Sequence, residues 1–270
     1  MGVNREISPG LIIETKRALV TGASRGIGRA IALELAQRGV VVTLLARHQA
    51  PLDQLRDEIE RAGGKADTIV ANLAVRNQLA TVAQNLVQSN RTPNILINNA
   101  GVTLQADLAS ATEKEVANVI DVNLLAPILL TRALLPAMLA QGKGAIVNIS
   151  SLAGLFGSPR MHAYCASKSG LNGFTEALAH DLADTPLNVT VVHMPAVNTA
   201  RAGRSRRRIP VSRAAKEVAR AIERGQEEVF IGWEGPMAWR LKRFLPRVAR
   251  FLLRRRFRSS GRRPSAAEQT

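Results

Sequence analysis

Short apolar, β-branched runs alternate along most of the chain with longer stretches in which apolar residues recur every three or four positions. The runs at 17–21, 40–45, 67–71, 94–98, 145–150, 188–193 and 228–231 read as strands, and the stretches at 27–38, 52–62, 76–89, 113–139, 162–183 and 214–224 as helices. Gly39, Gly63, Gly64 and Gly142 fall where those helices should stop. Strand and helix in strict alternation imply a parallel sheet with helices on both faces, and seven strands fit one doubly wound α/β sheet. No internal repeat stands out, and low complexity is confined to the arginine-rich segments 204–208 and 254–263.

With 270 residues, 46% of them hydrophobic and 21% charged, the chain has enough material for one large domain with a real core. Its one cysteine, Cys165, cannot form an internal disulfide, and no apolar run of signal-peptide length precedes the first strand, so a cytoplasmic location is expected. Glu6 stands where a myristoylation signal needs Ser or Thr. The charge is uneven: residues 201–270 hold 20 Lys and Arg against six Asp and Glu, whereas residues 1–200 hold 17 against 15. The basic character belongs to the C-terminal quarter, which excludes a uniform nucleic-acid-binding surface. No metal site is expected.

The first strand runs into Thr21-Gly22-Ala23-Ser24-Arg25-Gly26-Ile27-Gly28 and then into a helix. Glycines there permit a tight turn and a close backbone approach to a pyrophosphate, while the helix N-terminus supplies free N–H groups. The spacing is G-x-x-x-G-x-G rather than the commoner G-x-G-x-x-G, and, since such motifs also arise by chance, a glycine-rich turn without a ligand is the competing reading. The second strand ends in Leu45-Ala46-Arg47-His48, with no acid to accept from a ribose 2′-hydroxyl. Arg47, with Arg25, can pair with a 2′-phosphate, which favours NADP over NAD; a solvated arginine at a strand end is the alternative.

Later come Ser150-Ser151-Leu152-Ala153-Gly154 and His162-Ala163-Tyr164-Cys165-Ala166-Ser167-Lys168. Tyr164, the only tyrosine, lies four residues before Lys168 at the start of a helix, so the two share a face. An ammonium beside a phenol favours the phenolate, which a tyrosine needs if it is to exchange protons near neutral pH. For these two residues alone, a chance pair on a helix surface is the better explanation.

Taken together, Thr21–Gly28, Asn98-Asn99-Ala100-Gly101, Asn123 in a long helix, Ser151 and Tyr164-x-x-x-Lys168 resemble the short-chain dehydrogenase/reductase family, in order and in spacing, over positions 14 to 200 and thinly to 232. The resemblance implies a Rossmann fold and hydride transfer between a nicotinamide and a carbonyl or alcohol. It implies that Tyr164 is the general acid in reduction, that Ser151 bonds the substrate oxygen, and that Lys168 holds the nicotinamide ribose. Ser151 rather than Ser150 is assigned because it lies thirteen residues before Tyr164. Asn123 would hold a water leading from Lys168 to solvent. Gly22, Ser24, Arg25, Gly26, Ile27, Gly28, Arg47, Asn72, Leu73, Asn99, Ala100, Gly101, Tyr164, Lys168, Pro195, Val197 and Thr199 would line the cofactor. Three positions depart from the family pattern. Asn72 replaces an acid, Ala196 follows Pro195 where glycine is usual, and Thr199 sits one residue closer to the proline than expected.

The family's substrate lid would fall at about 200–212, here with Arg201, Arg204, Arg206, Arg207 and Arg208. An anionic or headgroup-bearing substrate and a merely solvated lid fit it equally. The expected division is therefore a catalytic domain over 1–232 and a basic amphipathic extension over 233–270, its last residues disordered. From Met237 to Leu252 apolar residues recur at intervals of three and four among arginines, with a kink expected at Pro246. An anionic membrane surface, an acidic partner and packing on protein compete as the reason, arginine being too frequent for a bilayer span. The resemblance also implies a homodimer or tetramer through the long helices. A catalytically idle NADP(H)-binding relative is the alternative function class, and within enzymes a 3-oxoacyl-carrier-protein reductase is the alternative to a lipophilic small-molecule substrate.

Overall fold

Strands buried on both faces must be apolar throughout, and this requirement selects the sheet. In the computed structural model, which describes residues 11–13, 16–198 and 209–249, seven strands pair in parallel: β1 (Arg17–Thr21), β2 (Val41–Ala46), β3 (Lys65–Val70), β4 (Ile95–Asn98), β5 (Gly144–Ser151), β6 (Leu187–Met194) and, after a short pair β7 (Val197–Asn198) and β8 (Ile209–Pro210), β9 (Glu228–Phe230). Their spatial order is β3-β2-β1-β4-β5-β6-β9. The chain therefore builds outward from β1 through β2 and β3, crosses over to β4, and builds the other way. All carboxyl ends lie on one edge, and the crevice of such a sheet opens where the direction reverses, between β1 and β4.

Ala18, Val20, Leu44, Ile97 and Val147 point to one face, where α1 (Gly26–Gln37), α2 (Gln49–Arg61) and α7 (Val211–Arg224) cover them. Leu19, Leu45, Leu96 and Ile146 point to the other, under α3 (Arg76–Gln88), α5 (Ala126–Gln141) and α6 (His162–Asp181). The second face turns polar toward the carboxyl edge: Thr21, Asn98, Asn148 and Ser150 are buried there.

The seven strands and their parallel pairing agree with the expectation, while some boundaries move. β3 begins two residues early, in register with β2 from Val41↔Lys65. α2 begins at Gln49 rather than 52 because Pro51 is tolerated in a first turn, where its missing N–H is not needed. The single helix expected over 113–139 is α4 (Glu113–Ile120), a π turn over Asp121–Leu125, and α5. α4 starts on a capping box in which Thr112 and Glu115 satisfy each other's backbone, and those bonds hold the Glu115 carboxyl below its usual range.

The chain falls into two units, Met1–Ile231 and Gly232–Thr270. In the second, α8 spans Glu234–Phe244, starting earlier than expected. It stops before Leu245, whose φ of −130° and ψ of 62° leave the helical region as the residue before Pro246 must. Residues 250–270, with the end of the expected amphipathic stretch, lie outside the described residues.

Gly28 lies where α1 meets the end of β1. A Cβ there would stand 2.3 Å from Asn99 Nδ2 and 2.4 Å from the Gly22 carbonyl oxygen. Gly28→Ala is expected to destabilise the fold by about 1–3 kcal/mol, the usual range for overpacking, read from denaturant midpoints. An unchanged midpoint would show that this junction relaxes.

Candidate active site

The glycine turn is clasped to the loop after β4 by one hydroxyl. Thr21 Oγ1 donates to the Ile97 carbonyl (3.2 Å) and accepts the N–H groups of Asn99 (2.9 Å) and Ala100 (3.0 Å), while Asn99 Nδ2 donates to the Thr21 carbonyl (2.9 Å). Gly22 (φ 67°) approaches so closely that a Cβ on it would come within 2.8 Å of Ala100 Cα. Gly26 (φ 60°) then opens α1, whose N-cap, Arg25, makes no side-chain capping bond and whose first turn carries no acid. The first N–H groups of α1 and the positive end of its dipole are left for an anion. Gly22, Ser24, Arg25, Gly26, Ile27 and Gly28 are thus brought together with Asn99, Ala100 and Gly101.

Arg25 and Arg47 are both exposed, Arg25 as the N-cap of α1 after β1 and Arg47 directly after β2, the strand paired with β1. After β3, Asn72 Oδ1 accepts the Ala74 N–H (3.2 Å) and the Asn72 N–H donates to Gln78 Oε1 (2.6 Å). One lone pair of the amide oxygen expected to meet an adenine is therefore engaged in a local turn. Leu73 is buried in the core under α3 and α5, which leaves its main chain to meet a ligand. Pro195 follows β6 directly and Val197 is buried in β7. Thr199 and residues 200–208 of the expected lid lie outside the described residues.

The second group of residues comes from the π turn, β5 and α6. Asn123 is fully buried in the π turn. Its Oδ1 accepts the Val102 N–H (2.8 Å), and its Nδ2 donates to the Val102 carbonyl (2.9 Å) and to Ser167 Oγ (3.1 Å). Both amide hydrogens are committed, so this side chain ties the loop after β4 to α6, and a water would have to be held by other atoms or by its remaining lone pair. Ser151 ends β5, and its Oγ accepts the Ala153 N–H (3.1 Å). Ser150, one residue earlier, is buried and donates to Asn172 Oδ1 (2.5 Å). Lys168 Nζ donates to the Ile149 carbonyl (2.7 Å), and burial pulls its pKa from 10.5 down to about 8. Gly154 makes room for the backbone of this lysine, since a Cβ there would stand 2.9 Å from the Lys168 carbonyl; Gly101 lies beside Nζ and Asn123 Oδ1, which a Cβ on it would meet at 3.9 and 3.4 Å, ordinary contact distances. Tyr164 occupies the first turn of α6, one turn before Lys168 on the same face.

Sequence reasoning passed over two buried polar features at this edge. His193, 1% exposed, bonds Glu228 Oε1 through Nε2 (2.9 Å) and packs on Phe230, and burial holds its pKa below the ordinary value in spite of that carboxylate. Asn98 and Asn148 face each other on β4 and β5. The available signal was a polar residue inside an otherwise apolar strand.

The family model for short chain dehydrogenases matches residues 16–209. The ketoacyl reductase HetN of Nostoc sp. is 40% identical over 177 residues, 66% of this chain and 62% of that protein, so the chain spans less than two thirds of that relative's length. The 3-oxoacyl-[acyl-carrier-protein] reductase FabG of Thermotoga maritima is 38% identical over 180 residues, 67% of this chain and 73% of that protein. Among solved structures, a metagenomic short-chain oxidoreductase in complex with NADP superposes with a TM-score of 0.74 at 36% identity, covering 82% of this chain and 98% of the other. Actinorhodin polyketide ketoreductase with NADPH superposes at 0.75 and 29% identity, covering 80% and 95%. A glycine turn, a β4 loop and a β5–α6 site on one sheet edge, together with these matches, place the chain in the short-chain dehydrogenase/reductase family of oxidoreductases.

Proposed function

We propose that the chain moves a hydride between NADP(H) and a carbonyl or alcohol, with Tyr164 exchanging the proton. The buried Lys168 carries this reading. Its ammonium sits in dry surroundings, its pKa is lowered to about 8 by burial, and one helical turn away stands the chain's only tyrosine. In such surroundings two opposite charges help each other strongly, so the ammonium favours the Tyr164 phenolate and the phenolate favours the ammonium. Ser151 accepts from Ala153 and so directs its O–H elsewhere, toward a substrate oxygen. Asn123 keeps the loop after β4 in place over the site.

The residues present suit a dinucleotide, because α1 begins uncapped and acid-free at a glycine turn. Gly22, Ser24, Gly26, Ile27 and Gly28 would hold the pyrophosphate. Asn72, Leu73, Asn99, Ala100 and Gly101 would meet the adenosine half, and Lys168, Pro195, Val197 and Thr199 the nicotinamide half. Arg25 and Arg47 would pair with a 2′-phosphate, since no carboxylate follows β2. When bound, this cofactor supplies or accepts the hydride. The relatives named as ketoacyl reductases favour a 3-oxoacyl thioester on a carrier protein as a second substrate reading. A homodimer or tetramer through α4, α5 and α6 is proposed with it; on α6 the exposed positions Ala166, Gly173 and Ala177 are small enough for close helix packing.

A lipophilic substrate is favoured by the second unit taken by itself. Trp233 (70% exposed), Met237 (59%) and Phe244 (72%) fall within about 40° of one another around the helix axis. Arg240 and Arg243 run along one side of that stripe, and Arg247 follows it. Large apolar side chains beside arginines suit the interface of an anionic bilayer, where each basic residue contributes about 1 kcal/mol. The enzyme is therefore read as cytoplasmic and docked on such a surface, with its substrate drawn from there.

Tyr164→Phe is expected to retain NADPH binding and to lose at least about 100-fold in turnover; undiminished turnover of a confirmed substrate would overturn the mechanism. NADPH should bind at least about tenfold tighter than NADH, about 1.4 kcal/mol, and Arg47→Asp should narrow or reverse that difference. Equal affinities in the unmodified protein would remove the NADP assignment. The protein should sediment with anionic vesicles, less so at high salt, and Met237→Glu combined with Phe244→Glu should release it while leaving NADPH affinity intact. Failure of the unmodified protein to sediment would assign the helix to a protein contact.

A further inference from the structure

Beneath the site, four buried polar side chains form one continuous chain of hydrogen bonds across β4 and β5. Asn98 Nδ2 donates to Thr131 Oγ1 on α5 (3.2 Å) and to Asn148 Oδ1 (2.9 Å); Asn148 Nδ2 donates to Thr175 Oγ1 on α6 (2.9 Å), which donates to the Leu171 carbonyl (2.6 Å). None of the four is more than 2% exposed. One pleat nearer the carboxyl edge, Ser150 donates to Asn172 Oδ1 (2.5 Å) and lies 3.3 Å from the Lys168 carbonyl oxygen. In chain order on β5 the partners are Thr175 for Asn148, Lys168 Nζ for the Ile149 carbonyl, and Asn172 for Ser150.

The apolar contacts around this chain cannot fix the axial position of a helix, since burial is non-directional and a shift of one residue moves the helix by only about 1.5 Å. Hydrogen bonds near 2.9 Å between groups with no water to turn to do fix it, because a slipped helix would leave an amide and a hydroxyl unsatisfied. The elements joined are those that carry the site: β5 ends in Ser151, α6 begins with Tyr164 and Lys168, and α5 follows the π turn of Asn123.

We propose that Asn148 and Thr175, held by Asn98 and Thr131, are positioning residues that set the register of α6 on β5 and hence the placement of Tyr164 and Lys168 against Ser151. This rests on the reading of Tyr164 as the proton-exchanging group. Because Tyr164 is the only tyrosine, the ultraviolet absorbance of phenolate formation reports its titration without any substrate.

Thr175→Val keeps the shape and removes the hydroxyl, and Thr175→Ser keeps the hydroxyl. The Tyr164 midpoint is expected to rise by at least about half a pH unit in the valine variant, through a loosened Lys168–Tyr164 pairing, and to return in the serine variant. NADPH affinity, measured by fluorescence, should fall by less than about tenfold, since the pyrophosphate and adenosine contacts lie on β1, α1 and the loop after β4 and only the Lys168 contact moves with α6. Should Thr175→Val not fold, Asn98→Leu with Asn148→Leu removes both amides together, a replacement that leaves no amide unpaired, and it should show the same rise. Lower thermal stability with an unmoved Tyr164 midpoint would overturn the proposal and leave an ordinary buried polar cluster. The midpoint of the unmodified protein tests the reading of Tyr164 separately: an ordinary value near ~10 would remove that reading, whereas the difference between variants tests the register.

Discussion

The Thr21 hydroxyl holds the reversal point of the sheet. The crevice of this seven-stranded sheet opens between β1 and β4, and it requires that the two chain exits be fixed to each other. One oxygen does this by donating to Ile97 and accepting from Asn99 and Ala100. The glycines at 22 and 28 are what let that clasp close, since a Cβ on either would intrude on Ala100 or Asn99. The same closeness brings the uncapped start of α1 beside the β4 loop. Anion-binding groups and clasp are thus one construction.

The two faces of the sheet are not equivalent. Toward α1, α2 and α7 the inward residues of β1, β2 and β4 are apolar along the whole strand length, and stability there follows from area removed from water. Toward α5 and α6 the apolar packing gives way at the carboxyl edge to Thr21, Asn98, Asn148 and Ser150. Polar groups in a dry interior add little net stability, yet they discriminate sharply between one packing and its neighbours. The helices that meet this face are the ones that present Asn123, Tyr164 and Lys168. Specific placement is concentrated where the site needs it.

Periodicity carried the element types and the parallel pairing because the strands are apolar on both faces and glycines mark the helix ends. It could not carry the π turn at Asp121–Leu125. One extra residue in a helix of high overall hydropathy leaves the three-to-four spacing almost intact, and only the burial of Asn123 betrays it. The pair β7–β8 was equally invisible, being two residues long on each side. Among site residues, those in glycine-punctuated or tightly spaced motifs were legible, Asn98 among them as a motif residue, whereas its bond to Asn148, and Asn148, Thr175 and His193 themselves, were not. Their meaning depends on partners 27 to 50 residues away, as in Asn148–Thr175 and Asn98–Asn148, which no local pattern contains. Asn72 shows the converse: its position was legible, its local bond to Ala74 was not.

Lys168 has a thermodynamic consequence for the whole molecule. Its folded-state pKa of about 8 lies below the 10.5 of the free side chain, so between those values the unfolded chain binds more protons and folding is favoured by rising pH. That favourable contribution is complete above the unfolded value and is lost as the pH falls through about 8. Near neutrality the folded protein carries a charged amine in a dry interior at a free-energy cost of about 3 kcal/mol, a sizeable share of the stability of an ordinary domain. The residue the proposed chemistry most requires is therefore held charged at a cost to the empty fold, offset in part by its bond to the Ile149 carbonyl.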